Sequence, residues 1–467
     1  MAGRALSAVP IGILRFRVGV LGKLLHQKNM RARIAWLSEH GKPEPTLVNA
    51  ARSAGYELIL PPALGINPAI ARAAIIDVRR SATPACSARD LLNKSALAGR
   101  PGVTVILARQ DLKLSERQAL QNSGNIVFDY ASSTAVIARL RQQMRMSSLA
   151  EEASERLKAA MNTALPADTA SLTPKKQSPS ILFAGAPSPI TASALYHLRA
   201  YSPVSVLTAG QTLRALENKN FDAIVFSPSE ENDLLYALAR TLMRHARFST
   251  IPIFAVSQNM EIVRAFSSIG ADAYPSEIID NYFAHRVGRA AQRGRLARGL
   301  RHFLHSTRNA IMSASPATSA TFFATQIHQL IRRRRMDPTP FSMIGVTLVA
   351  KPNTTTTSNT EKIESAELAE LCTKACRLED AIVPLNSKSI VIITPSTNWH
   401  DATRIAARLT GVLAGRTTGD NNPSAYIPVT DIVEHKAGEG AQALLARLLD
   451  QLRTSTRHFN TALSSSL

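Results

Sequence analysis

The chain has 467 residues, 45% hydrophobic and 19% charged, a balance that excludes a fibrous or wholly disordered protein and, at roughly 150 residues per domain, points to three domains. Its 55 basic and 34 acidic side chains give a net charge of +21, which favours an anionic partner (nucleotide, nucleic acid, membrane surface or acidic protein) and fits a solvated basic face as well. Three cysteines, Cys86, Cys372 and Cys376, exclude a disulfide framework, and no run reaches the roughly 18 apolar residues needed to span a bilayer.

Residues 1–29 mix apolar and basic side chains, as in Ile11-Gly12-Ile13-Leu14-Arg15-Phe16-Arg17, a pattern that fits a short amphipathic or targeting segment and, more simply, a poorly ordered extension from an upstream start codon. From Ile34 short apolar runs alternate with amphipathic stretches, the signature of βα units on a parallel sheet. In the first unit, 30–148, strands are predicted at Arg33–Leu37, Glu57–Leu60, Ala73–Asp77, Val103–Leu107 and Asn125–Phe128, with helices between them and another at Ser133–Met144. Five strands and five helices in about 115 residues is the flavodoxin-like order. Residues 149–180 turn to Glu, Lys, Ser, Thr and Pro, a linker that begins as a helix. The rhythm restarts over 181–298, with strands at Ile181–Ala184, Val204–Leu207, Ala223–Ser227, Ile253–Val256 and Ala273–Tyr274 and a long basic exit helix, Asn281–Gly299. The unit therefore repeats at a spacing of roughly 150 residues.

A second linker, 299–320, carries the Ser/Ala/Thr-rich joint Ser313–Ala320. The third domain, 321–457, is mixed α/β: a helix at Phe322–Arg335, a strand at Phe341–Ala350, a polar loop at Asn353–Asn359, a helix at Ser365–Arg377, a hairpin around Asn386-Ser387, a helix at His400–Ala414, a strand at Tyr426–Val433 and a helix at Ala441–Arg457, before a tail at 458–467. Cys372 and Cys376 at i, i+4 share one helix face in the core. The runs Arg332–Arg335 and Arg286–Arg301 read by default as solvated surface and otherwise as contacts to phosphates or an acidic protein.

Three stretches carry a family resemblance. Phe221–Pro228 resembles the third strand of a response-regulator receiver, with Ser227 where the phosphorylated Asp stands; Ile251–Ser257 and Gly270–Tyr274 resemble the fourth strand and the turn into the fifth, and Glu277 replaces the expected Lys. Phosphoryl transfer needs a carboxylate nucleophile, Mg²⁺ held by neighbouring acids and a Lys, so the second unit cannot run it. The first unit keeps Asp77 at a strand end, a candidate phospho-acceptor with Glu39 as a candidate Mg²⁺ partner; Ser38 replaces a usual acid, no Lys follows Phe128-Asp129-Tyr130, and a loop-capping Asp is the alternative.

In the third domain Arg377-Leu378-Glu379-Asp380 stands just ahead of Val383–Pro395, which resembles the GGDEF signature of diguanylate cyclases with Asn386-Ser387-Lys388-Ser389-Ile390 in its place. Thr347, Val349, Lys388 and Ser389 occupy the family's metal positions, so the resemblance implies a pseudoenzyme. The whole, over 31–455, is similar to the receiver–receiver–GGDEF layout of the PleD group, and most to its PopA-type members, which are cyclic di-GMP receptors and adaptors. That implies an α/β protein of two tandem flavodoxin-like receivers and a degenerate GGDEF domain. It further implies cyclic di-GMP bound at an inhibitory R-x-x-D site by Arg377, Asp380 and Arg408, with Mg²⁺ only if Asp77 is phosphorylated. Adaptor-type protein partners, a homodimer through the receivers, a cytoplasmic or cell-pole location and a role in cell-cycle or polarity control come from the same resemblance. The bland alternatives are a helix C-cap with a local salt bridge for Arg377 and Asp380, and a solvated face for Arg404 and Arg408. A basic nucleic-acid-binding regulator and a weakly active or GTP-binding cyclase are the competing functions.

Overall fold

The computed structural model describes residues 32–60, 71–94, 103–163, 165–166, 168–172, 178–229, 233–245, 248, 250–336, 339–350, 365–386, 388–416 and 426–465. The expected N-terminal extension and the loop Asn353–Asn359 lie outside them, as does Ser387.

The first unit contains β1 (Ala32–Ser38), α1 (Pro45–Ser53), β2 (Tyr56–Ile59), β3 (Ala73–Asp77), α2 (Pro84–Lys94), β4 (Val103–Ala108), α3 (Leu114–Gln121), β5 (Asn125–Phe128) and α4 (Ser133–Asn162). Its strands run parallel in the order β2-β1-β3-β4-β5, the doubly wound order in which alternate residues must serve helices on both faces. Ile34, Trp36, Ile75, Val105 and Leu107 face α1 and α4, while Leu37, Ile76, Ile106 and Phe128 face the other way. Four helices, not five, lie among the described residues; the stretch between β2 and β3 falls largely outside them.

The second unit repeats the plan with β6 (Ile181–Gly185), α5 (Pro189–Leu198), β7 (Val204–Val206), α6 (Ala209–Asn218), β8 (Ala223–Ser227), α7 (Asp233–Arg244), β9 (Ile253–Ser257), α8 (Met260–Ser268), β10 (Asp272–Pro275) and α9 (Asn281–Ser313). Its order, β10-β9-β8-β6-β7, matches that of the first sheet. One face of each sheet joins a single apolar cluster that runs from Ile76 and Phe128 to Phe254, Tyr274 and Phe283, so the two units share a core. Polar contacts reinforce the joint. Arg139 of α4 pairs with Asp272 at the start of β10, and Arg286 of α9 donates to Asn125 at the start of β5 at 2.8 Å. Each unit thus sends an arginine from its last helix to the fifth strand of the other, an approximate two-fold exchange within one chain.

The helices leaving the units are longer than expected, and both expected linkers are largely helical. α4 is capped by Ser132, whose hydroxyl accepts from the Ala135 amide, and continues through 149–162 because Leu149, Ala153, Ala159 and Ala160 keep an apolar stripe buried. α9, capped by Asp280, runs unbroken to Ser313; it stops three residues before Pro316, whose ring disfavours helical geometry at Ser315. Only Ala314 and Ser315 separate it from α10 (Pro316–Met336).

The third domain adds β11 (Ser342–Ala350), α11 (Ser365–Ala375), β12 (Ala381–Asn386), β13 (Ser389–Thr394), α12 (Trp399–Arg416), β14 (Tyr426–Glu434) and α13 (Ala441–Ser465). Its antiparallel sheet has the order β12-β13-β11-β14. Strand alternation divides its faces: Met343, Val391 and Ile393 meet α10 and α13, while Ile344, Val346 and Ile392 meet α11 and α12. Ala159 and Ala160 of α4 and Ile311 of α9 belong to the first of these cores, so the exit helices of both units are built into the third domain. The expected tail at 458–467 is helical as far as Ser465. Among the described residues no helix is long and apolar enough to cross a membrane.

A candidate ligand cleft at the Arg377–Asp380 turn

The segment after α11 folds as a tight turn. The Asp380 amide donates to the Arg377 carbonyl at 3.2 Å, and Asp380 Oδ2 accepts from the Arg377 amide at 2.7 Å. The contact is a side-chain-to-backbone bond within the turn rather than the helix C-cap and salt bridge of the bland alternative, and it holds the Asp380 side chain at 1% exposure. Oδ1 has no donor among the described residues. Burial pushes the carboxyl up to about 6, opposed by the Arg377 amide and by the charges of Arg377 and Arg308.

Two arginines from the exit helices hold the outside of the turn. Arg308 of α9 donates to the carbonyls of Arg377 and, at 2.8 Å, Asp380. Arg156 of α4 donates to those of Leu378 at 3.4 Å and Glu379 at 2.6 Å. Every carbonyl from 377 to 380 therefore accepts from one of two buried guanidinium groups. Glu152, one helical turn before Arg156, balances its charge at 3.1 Å and accepts from Gln326 of α10 at 2.9 Å. Leu378 packs into the seam of α4 and α9 beside Leu149, Ala153, Leu300 and Leu304. Sequence reading missed Arg156 and Arg308 because it placed both in linkers; Glu152 and Arg156 at i, i+4 carried the only visible signal.

The turn lies on the wall of a cleft of about 2070 Å³ between the tandem and the third domain. Among the described residues, fourteen arginines line it against four acidic side chains, Glu152, Glu379, Asp380 and Asp401. Arg145 and Arg301 are close enough for their charges to act on each other, and Arg301 also feels Glu379. Burial, and then the like charges of Arg286 and Arg289, hold Arg293 down at about 10. Arg377 is exposed on the lining. Arg408 is exposed on α12 but absent from the lining; Arg404, one helical turn earlier, takes that place. The structure thus brings Arg377 and Asp380 together and leaves Arg408 outside, beside Cys376, whose thiol its charge reaches.

The remaining sequence candidates are engaged locally. Arg79 forks onto Asp77 with two bonds of 2.9 Å and also pairs with Glu44 at 2.9 Å, while its amide donates to Asp77 at 3.1 Å. Glu39 accepts from Ser87 at 3.2 Å. Ser227 is buried and accepts from Thr191 at 3.1 Å. In the hairpin Asn386 pairs with Ser389, the Asn386 side chain accepts from the Lys388 amide at 2.9 Å, Thr347 and Ser389 share a hydrogen bond at 3.1 Å, and the Lys388 ammonium lies 5.4 Å from the centre of the Tyr426 ring. In the Arg332–Arg335 run, Arg333 pairs with Glu151 and Arg334 donates to the His435 carbonyl, so two of the four are docked rather than solvated.

No family model and no curated protein matches this chain. Among solved structures it is similar to the GGDEF domain of YfiN (TpbB) from Pseudomonas aeruginosa, at 14% identity over 29% of this chain and 88% of that one, with a TM-score of 0.27. It is also similar to the GGDEF domain of DgcB from Caulobacter crescentus in complex with c-di-GMP (11% identity, 29% and 81% covered, TM-score 0.25) and to PelD from Pseudomonas aeruginosa in complex with c-di-GMP (17%, 39% and 58%, 0.22). Likenesses this partial leave the chemistry of the cleft to its own residues.

Proposed function

We propose that this chain is a non-catalytic receptor and signalling adaptor of the response-regulator type that binds cyclic di-GMP in the cleft at the Arg377–Asp380 turn. One observation carries the reading: a buried carboxylate with a free oxygen, Asp380 Oδ1, lines an arginine-walled cleft beside exposed Arg377. Cyclic di-GMP is a compact dianion with two guanine edges. A guanidinium forks onto its phosphate or onto guanine O6 and N7, and a carboxylate accepts from the guanine N1–H and N2–H₂ edge. The cleft exceeds the roughly 300–1,000 Å³ of common small-molecule sites, leaving room for a dinucleotide.

On the cyclase side, hydroxyls and a cation occupy the positions where carboxylates would hold Mg²⁺: Thr347 and Ser389 bond each other, and Lys388 leans over Tyr426. The nucleic-acid reading draws on the same arginines, yet Tyr56 and His400 are the only aromatic rings among the described lining residues, too few for a stacking platform. Calorimetric titration of the full chain with cyclic di-GMP tests the proposal. Saturable binding is expected, weakened about tenfold or more in Arg377→Ala and nearly unchanged in Arg408→Ala. Absence of saturable binding by the wild type, or an Arg377→Ala affinity equal to it, defeats the reading.

A further inference from the structure

The same four residues that offer Arg377 and Asp380 to the cleft offer all four of their carbonyls to Arg156 and Arg308 on its far side. Arg156 and Arg308 arrive on different helices, one leaving each βα unit, and both helices also enter the core of the third domain through Ala159, Ala160 and Ile311. Leu378 closes the arrangement by filling the seam between α4 and α9. No other segment of the third domain is held by both exit helices through buried guanidinium groups among the described residues.

We infer that Arg156 and Arg308 form a latch that fixes the binding turn to the two exit helices, so that occupancy of the cleft and seating of the third domain on the tandem are one equilibrium. The inference rests on the ligand reading above for its cleft side and on the hydrogen bonds alone for its helix side. With its carbonyls fixed, the turn presents the Asp380 carboxyl and the Arg377 backbone in one geometry, which spares a ligand the cost of ordering them. Linkage then works in both directions: whatever tightens the latch raises affinity for the ligand, and the ligand tightens the latch by the same factor. Arg156 and Arg308 are positioning residues in this scheme and do not touch the ligand themselves. Their Nε atoms are buried without acceptors, and the ends of both guanidinium groups are turned to the backbone carbonyls of the turn.

Hydrogen exchange on the full chain, with and without cyclic di-GMP, combined with calorimetry on Arg156→Gln, Arg308→Gln and the milder Arg308→Lys, separates the outcomes. Without ligand, the glutamine variants are expected to speed exchange at least tenfold at amides 378–382 and in the last two turns of α4, while the amides of β6, β8 and β9 stay as protected as in the wild type. With ligand, the wild type gains protection in α4 and α9 as well as at the turn; the glutamine variants bind at least tenfold more weakly and gain none in the helices, and Arg308→Lys falls between. Unchanged exchange at 378–382 in both glutamine variants overturns the latch, as does wild-type affinity in both. Protection confined to the turn of the wild type overturns the coupling. If the wild type fails to bind at all, the ligand reading falls and the ligand-free exchange alone decides the latch. Should the glutamine variants fail to fold, Arg308→Lys and Leu378→Ala supply the same comparison, and wild-type exchange and affinity in both counts against the latch.

Discussion

Burial with one unpaired oxygen makes Asp380 hard to ionise, and the consequence is measurable. Its carboxyl sits near 6 in the folded chain, above the usual carboxylate range, with burial as the main cause and Arg377, Arg308 and Glu379 as the charges around it. The folded state therefore holds this proton more tightly than the unfolded state does. Stability from this group is greatest below about pH 4 and is lost as pH rises through about 6. Ligand binding runs the opposite way, because only the ionised carboxylate accepts from a guanine edge. Affinity for cyclic di-GMP is expected to rise about tenfold between pH 5 and pH 7, following the fraction of ionised Asp380. Asp380→Asn should bind weakly and show no such rise. Calorimetry across that range checks both, and an equally steep rise in the asparagine variant would assign the proton to another group.

At the scale of elements, period and punctuation carried most of what was legible. The five-strand patterns of both units were readable because parallel strands buried on two faces appear as short apolar runs, and the predicted Ala73–Asp77, Asn125–Phe128 and Ala223–Ser227 coincide with β3, β5 and β8. Helix ends without strong punctuation were not legible. Glu, Lys and Ser after Met144 look like a linker, yet the buried stripe Leu149, Ala153, Ala160 continues α4, and its partner surface belongs to α9, α10 and the third sheet. The Arg377–Asp380 turn is visible as a motif; Arg156 shows only as the i, i+4 partner of Glu152 and Arg308 not at all, because a buried arginine is defined by what surrounds it. Glycine gives an element-scale prediction. At Gly294 of α9 an added Cβ would stand 2.6 Å from the Asp222 carbonyl and 2.9 Å from Pro252 Cδ, and backbone gives way poorly. Gly294→Ala should cost about 1–3 kcal/mol in urea unfolding by forcing α9 off its sheet. At Gly411, where nothing lies within 4 Å, the same change should be neutral or mildly stabilising.

Across the whole molecule, the tandem behaves as one body because its halves exchange arginines over a continuous core. Asp272 is the pivot: its carboxylate faces Arg139 from α4 and Arg286 from α9, both nearly buried, and burial together with Arg286 lowers Arg139 to about 9. The region is already overfilled with positive charge, since Arg293 also reaches Asn125 at 3.1 Å. Asp272→Asn keeps the shape and removes the only carboxylate bonded to Arg139 and Arg286 among the described residues, leaving two buried cations side by side. Such a loss typically costs about 3–5 kcal/mol, far more than the intact group contributes, because the stranded charge bears its full desolvation cost. Asp222→Asn is the contrasting case. Asp222 binds the Ser180 amide, just ahead of β6, and Arg295 and Arg298 of α9, and those two arginines keep 24% and 32% of their side-chain surface in water. Its loss should weaken the second unit without parting the tandem. In urea, followed by hydrogen exchange at the amides of β5 and β10, Asp272→Asn is expected to expose both strands together at lower denaturant, whereas Asp222→Asn exposes β8 first. Replacing Asp272, Arg139 and Arg286 together by apolar residues of similar volume should restore much of the stability, since a dry joint needs no counter-charge. If Asp272→Asn unfolds within about 0.5 kcal/mol of the wild type, the reciprocal arginines are ornament on an apolar interface and the shared core alone holds the units together.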